Sequence, residues 1–189
     1  MSWTELELAH DALRFVVARV GDDEWTLATP CEKWNVAQVV RHAAGDQLGY
    51  AAAITGSGGP TEDPFAPSAD RPARSTVDAA LAAAAAAFAT VEPGTPEVPC
   101  PLPLGPLPAE TVVAAAALDA AVHAWDVAVA TGQPSPLPAE LAERLMPVAE
   151  LIAGPLRAFA FAPALTPEPG DDAVARLLRF LGRRPEWTR

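Results

Sequence analysis

Ala109-Glu110-Thr111-Val112-Val113-Ala114-Ala115-Ala116-Ala117-Leu118-Asp119-Ala120-Ala121-Val122-His123-Ala124-Trp125-Asp126-Val127-Ala128-Val129-Ala130-Thr131 holds no proline or glycine between Pro108 and Gly132. Gly132 is a natural C-terminal stop, so the stretch predicts one long helix over 109–131. On that helix Asp119 and His123 are four residues apart and leave the same face one turn from each other. Val112, Ala116 and Ala130 extend the stripe, which turns the carboxylate and the imidazole inward. Buried polar groups cost free energy unless something satisfies them, and a divalent metal is one such partner. Two ligands do not complete a site. The third is expected from His42, a histidine in an otherwise apolar helix far upstream.

That upstream helix starts at Asn35, which can cap it, with Gln38 reaching back as the other half of a capping box; Trp34 and Val39 are spaced for a hydrophobic staple. It is expected to run to about Thr55 and stop at Gly56, with Val39, His42, Gly45 or Asp46, Gly49 and Ala53 facing inward. Gly45 and Gly49 each cost roughly 1 kcal/mol relative to alanine inside a helix. Close packing, or space for a ligand beside His42, would offset that cost, and the sequence leaves both open. Asp46, one turn after His42, is a rival carboxylate ligand. Before this helix, Ser2-Trp3-Thr4-Glu5 reads as a capping box opening a helix with Leu6, His10, Leu13, Val17 and Val20 on one stripe, stopped at Gly21. His10 therefore either lines the pocket or is bonded within the core, the second being the commoner arrangement.

A third helix is expected from Ser75 through Phe88, nearly all alanine and free of chemistry. Past Gly132, Leu137 to about Phe161 reads as helical with interruptions at Pro147 and at Gly154-Pro155, and a last short helix spans Asp172 to Leu181. The prolines cluster between Ser57 and Pro72 and between Pro93 and Pro108. Connections that long are often lids or crossovers, and these two are expected to form the mouth of the pocket. No strand-like alternation of any length occurs. The expectation is an all-α chain: one domain over 1–189, a four-helix bundle with long crossover connections and extra C-terminal helices. Bundle cores are where such folds build metal sites.

The composition narrows the partners. A formal net charge of -11 argues against a nucleic-acid or anionic-membrane surface, since both call for clustered lysine and arginine. No apolar run is expected to span a bilayer. The opening Met1-Ser2-Trp3-Thr4-Glu5 lacks the basic and apolar blocks of a signal peptide, so the protein is expected in the cytoplasm. Cys31 and Cys100 form no CxxC pair and are expected as reduced thiols. Both sit among prolines without a neighbouring histidine, which disfavours them as nucleophiles.

Several short blocks are familiar. Thr29-Pro30-Cys31, Trp34-Asn35-Val36 and Arg41-His42 resemble the first block of the DinB-like, mycothiol-dependent maleylpyruvate isomerase N-terminal domain. Leu104 to Thr111 leading into Val122-His123-Ala124-Trp125-Asp126-Val127-Ala128 and Thr131-Gly132-Gln133 is similar to the second block in the stand-alone actinobacterial branch. Leu177-Leu178, Leu181-Gly182-Arg183, Pro185 and Trp187 resemble the C-terminal part of that branch. The resemblance implies a four-helix bundle binding a divalent metal, usually zinc and sometimes nickel, through His42, Asp119 and His123. The isomerase has glutamate where this chain has Asp119, one methylene shorter. It also carries a C-terminal domain with a catalytic residue, so isomerisation of maleylpyruvate is not expected here. The nucleophile in the family is a low-molecular-weight thiol such as mycothiol.

The expected function is therefore a metal-dependent thiol S-transferase or isomerase acting on a small electrophile, as a monomer or homodimer. The alternatives are a non-catalytic metal- or small-molecule-binding bundle, or a hydrolase using metal-activated water. Asp126 lies about 60° around the helix from His123. It is expected to accept a ring N–H or to bond another helix, not to ligate. Trp125 faces the far side and is expected to be packed.

Overall fold

Residues 3–72, 74–158 and 160–188 are described in the computed structural model of the chain. Within them lie α1 (Thr4–Val17), α2 (Val36–Thr55), α3 (Arg74–Phe88), α4 (Ala109–Ala130), α5 (Ala139–Leu156) and α6 (Ala173–Phe180), with no strand beyond two isolated bridges. The all-α class and the bundle hold. Helix α1 packs along α4 and touches α3, while α2 packs along α3 and α4, which closes a four-helix bundle. Helix α5 lies against α4, and α6 against α5.

The best-specified start is that of α2. Asn35 accepts from the Gln38 backbone N–H at 2.9 Å, and Gln38 Oε1 accepts from the Asn35 N–H at 3.1 Å, completing the predicted box. Gly56 ends the helix in the left-handed region, φ 72°, which only glycine adopts without a steric penalty. At α1 the expected cap Ser2 lies outside the described residues; Trp3 precedes the helix and makes no side-chain cap bond. That helix also stops sooner than expected, at Val17, although Val20 is still buried beyond it.

Helix α4 is buried on nearly every side, from Ala109 through Ala130. By length and composition alone its 22 residues, with a mean hydropathy of 1.6 over the best window, suffice to cross a membrane. This corrects the expectation that no run is so long. The burial gives the reason: 83% of that window lies inside the fold, so the apolar length serves contacts with α1, α2 and α5. A second correction concerns α5, which continues through Pro147 and Pro155 without a break. A helix proline strips the carbonyl four residues back of its partner. Here those carbonyls belong to Glu143 and Leu151, both exposed like the prolines themselves, so water can satisfy them.

Candidate metal centre

The inward faces of α2 and α4 bring His42, Asp119 and His123 together. His123 Nε2 lies 3.4 Å and His42 Nε2 3.6 Å from the same oxygen, Asp119 Oδ1. The three ligand atoms lie within 4.8 Å of one another. Both histidines are buried, and the Asp119 side chain is 13% exposed.

The outer nitrogens decide what the inner ones can do. His42 Nδ1 is 2.8 Å from the Pro64 carbonyl, which only accepts, so Nδ1 carries the proton. His123 Nδ1 is 2.9 Å from Asp126 Oδ2. Burial pushes the Asp126 carboxyl up, but the Arg183 guanidinium and the bonds from His123 and Arg183 outweigh it and hold it at about 2. Asp126 is therefore a carboxylate and an acceptor, and His123 Nδ1 is the donor. Each ring consequently turns a lone pair, not an N–H, toward Asp119. Burial also lowers the His123 imidazole to about 4, with the Asp126 bond opposing the shift, so the ring is neutral near pH 7.

With both rings neutral and Asp119 ionised, as a metal would require, three acceptor atoms face one another with no donor among them, a conflict that either a proton on Asp119 or a cation relieves. Burial first, and the nearby Asp46 second, push the Asp119 carboxyl well above its usual range. A cation at that point relieves the conflict, and the spacing fits one. Nitrogen and oxygen ligands about 2.0–2.2 Å from a tetrahedral zinc lie roughly 3.3–3.6 Å apart. The residues present fit the metal that the sequence implies.

Asp46 stands to one side. Its Oδ2 is 3.7 Å from His42 Nε2 and its side chain is 24% exposed, and it does not join the close trio. Asp126 accepts from the His123 ring, the first of the two alternatives expected, and its second bond goes not to another helix but to the segment after α6. Arg183, after α6, reaches it through Nε at 2.9 and 3.1 Å and Nη2 at 2.8 Å. His10 takes the core-bonded alternative. Its Nε2 meets Gln47 Oε1 at 2.8 Å, while Gln47 Nε2 donates to the Ala116 carbonyl at 3.0 Å and toward Asp119 Oδ2 at 3.4 Å.

Sequence reasoning passed over Gln47 and gave no role to Arg183, which entered only within the family-like C-terminal block. A wholly buried amide on an apolar helix was the available signal for Gln47. Nothing local marked Arg183, whose partner lies 57 residues away. Gly45 has a packing reason, whereas at Gly49 a Cβ would make only an ordinary van der Waals contact. A Cβ on Gly45 would lie 3.2 Å from Pro64 Cγ, and one on Gly49 would lie 3.6 Å from Pro101 Cβ. Both proline-rich connections thus touch α2 beside the trio. A separate 310 Å³ hollow between α5 and α6, lined by Met146, Pro147 and Arg176 among others, is remote from it.

A family model described as the mycothiol maleylpyruvate isomerase N-terminal domain matches residues 6–128, a span that includes all three converging side chains. The chain belongs to this family. Two relatives in Mycobacterium tuberculosis, the uncharacterized proteins MT0763 (strain CDC 1551 / Oshkosh) and Rv0738 (strain H37Rv), are each 34% identical over 149 residues. The aligned part covers 78% of this chain and 76% of each relative. No solved structure matches. Membership puts the chain in a DinB-like, mycothiol-associated, metal-binding group, and Arg183 lies beyond the matched span.

Cys31 completes a second close group with His123 and Asp126. Burial, and then the Asp126 charge, push its thiol up to about 11. Cys100 is also raised, by burial. Both are free thiols, and neither is poised as a thiolate nucleophile.

Proposed function

We propose that His42 Nε2, Asp119 Oδ1 and His123 Nε2 hold a divalent metal, zinc by preference, and that the protein uses it in thiol chemistry. The reaction would be S-transfer or isomerisation of a small electrophile with a mycothiol-type thiol. The observation that carries the proposal is the convergence of two imidazole lone pairs and a carboxylate with no donor among them. Two neutral imidazoles and one carboxylate leave a bound divalent ion a net positive charge, which lowers the pKa of a thiol or water bound to it. The chain's own residues do the rest. Pro64 and Asp126 fix the two tautomers, and burial keeps His123 neutral and able to ligate. The Trp34 and Phe65 rings, centred 4.5 and 5.6 Å from the His42 ring, give the site an apolar flank suited to an uncharged carbon skeleton. Support for the thiol comes from the family's association with mycothiol.

Elemental analysis of untagged protein should find about one divalent ion per chain, lost in His42→Ala and His123→Ala with helical content largely retained. Full occupancy in His123→Ala would remove the assignment. In cobalt-substituted protein, mycothiol, glutathione or cysteine should raise an intense near-ultraviolet charge-transfer band. A flat titration with all three, in protein that holds its cobalt, would remove the thiol chemistry and leave the metal.

A further inference from the structure

The connection between α2 and α3 grips α2 along one face for about two turns, and two of its neighbouring residues, Pro64 and Phe65, touch a candidate ligand. Gln38 Nε2 donates to the Pro67 carbonyl at 3.2 Å. Arg41 donates from Nε to the Asp70 carbonyl at 2.6 Å and from Nη1 to Glu62 Oε1 at 2.9 Å. Glu62 Oε2 in turn accepts from the Ser68 N–H at 3.2 Å, and Asp63 accepts from the Phe65 N–H at 2.9 Å, which folds the segment onto itself. At Gly45 the Pro64 ring rests directly on the helix backbone, where a Cβ would come within 3.2 and 3.3 Å of it. The Pro64 carbonyl is thereby held 2.8 Å from His42 Nδ1.

From these contacts we infer that residues 60–70 form a positioning strap for the metal centre, selecting the ligating tautomer of His42, with Gly45 and Arg41 as the residues that hold it in place. This rests on the metal reading proposed above. The chemistry is a choice between two arrangements of one proton. With Pro64 in place, the proton sits on Nδ1 and the Nε2 lone pair faces Asp119 and a metal. Without it, the proton gains by moving to Nε2, where Asp119 Oδ1 at 3.6 Å and Asp46 Oδ2 at 3.7 Å are both waiting acceptors. That second arrangement satisfies the polar groups internally and has no lone pair left for a metal. Outer partners of ligating histidines set the tautomer in this way, and losing one typically costs 10–100-fold in metal affinity. Coupling between two equilibria is reciprocal, so a bound metal should also tighten the strap.

Two substitutions that touch no ligand test this. Gly45→Ala forces the Pro64 ring to give by a few tenths of an ångström, which lengthens the bond from its carbonyl to His42, yet alanine has the higher helix propensity by about 1 kcal/mol. A loss of metal affinity therefore cannot be put down to a weakened helix. Arg41→Gln releases Glu62 and Asp70 together. Competition with a chromogenic zinc chelator should show zinc affinity lowered 10–100-fold in both. Nitrogen-15 shifts of His42 in metal-free protein should change from a ring protonated on Nδ1 to a mixture with Nε2. Hydrogen exchange at 60–70 should slow when zinc is added to wild type. Zinc affinities within twofold of wild type, with His42 still protonated on Nδ1 in both variants, would overturn the inference. If wild type takes up no zinc, the metal reading fails instead. The nitrogen-15 shifts of the metal-free proteins then still decide whether the strap sets the tautomer.

Discussion

Replacing Arg183 by leucine should be among the most damaging single changes outside the metal trio. Asp126 is fully buried, and its carboxylate is met by Arg183 Nε and Nη2 at 2.8–3.1 Å and by His123 Nδ1 at 2.9 Å. Breaking a buried pair by removing one partner leaves an uncompensated charge and costs about 3–5 kcal/mol. In a chain of this size each kcal/mol moves the melting temperature by roughly 2–4 °C, so Arg183→Leu should melt about 6–20 °C below wild type. Replacing both partners by leucine should recover much of the loss, because no charge is then left buried. Acid changes the comparison. The folded Asp126 value, about 2, lies below the ordinary aspartate value of 3.8. The pair's stabilisation is therefore fully present above about pH 4 and is lost as the pH falls toward 2. In Arg183→Leu, burial raises the carboxyl with only His123 opposing it, so it can take up a proton instead of remaining charged. The gap between the two proteins should accordingly narrow below pH 4. Urea unfolding at pH 7 and pH 3.5 measures both effects. A loss under about 1 kcal/mol at pH 7, or a double variant as unstable as the sum of the singles, would refute the reasoning.

Other outcomes follow from the same geometry. Asp119→Ala should weaken zinc binding by a larger factor than Asp46→Ala in chelator competition, since Asp119 Oδ1 faces both rings whereas Asp46 meets only His42; the reverse ranking would move the carboxylate ligand to Asp46. In metal-free protein His123 should withdraw stability as pH falls from 6.5 toward 4, while the raised Asp119 carboxyl acts the other way. The His123 imidazole ordinarily titrates at 6.5 and is lowered by burial to about 4 in the fold, so the unfolded chain binds the extra proton in that window; the urea midpoint of wild type relative to that of His123→Ala should fall in order at pH 7.5, 6 and 5. Gly182→Ala should cost at least about 2 kcal/mol from left-handed strain and overpacking, because φ is +82° and a Cβ would sit 2.6 Å from Ala162 Cβ; an unchanged melting temperature would contradict this.

The elements that could be read from sequence are those whose signals are local. Asn35 with Gln38, Gly56, and the clean run ended by Gly132 each act within a few residues, and the helices they bound came out as expected. The pairing of Asp119 with His123 is likewise a property of helical spacing, and His42 stood out as a polar residue on an apolar stripe. What could not be read depends on distant contact. Whether Pro147 breaks α5 turns on whether the Glu143 carbonyl is exposed, which spacing alone does not reveal. The odds at Gly45 turn on Pro64, nineteen residues on and in an irregular segment. Arg183 had no periodic neighbour to mark it, and it is the residue that keeps Asp126 charged.

The separation of Arg183 from Asp126 also sets an order of events at the ribosome. When α4 is made, α1 and α2 already exist to receive it, so most of its apolar length can be covered at once and the rest when α5 follows. The cation for Asp126 is encoded 57 residues later. At roughly 5–20 residues per second, that is a wait of about 3–11 seconds. During that interval a nascent bundle can gather His42, Asp119 and His123, but the carboxylate behind His123 lacks its charge partner and favours a proton or an open position. Locking of the His123 ring is thus tied to the emergence of Arg183. A polypeptide stalled or clipped before Arg183 would keep all three inner side chains and still fail to lock the His123 ring.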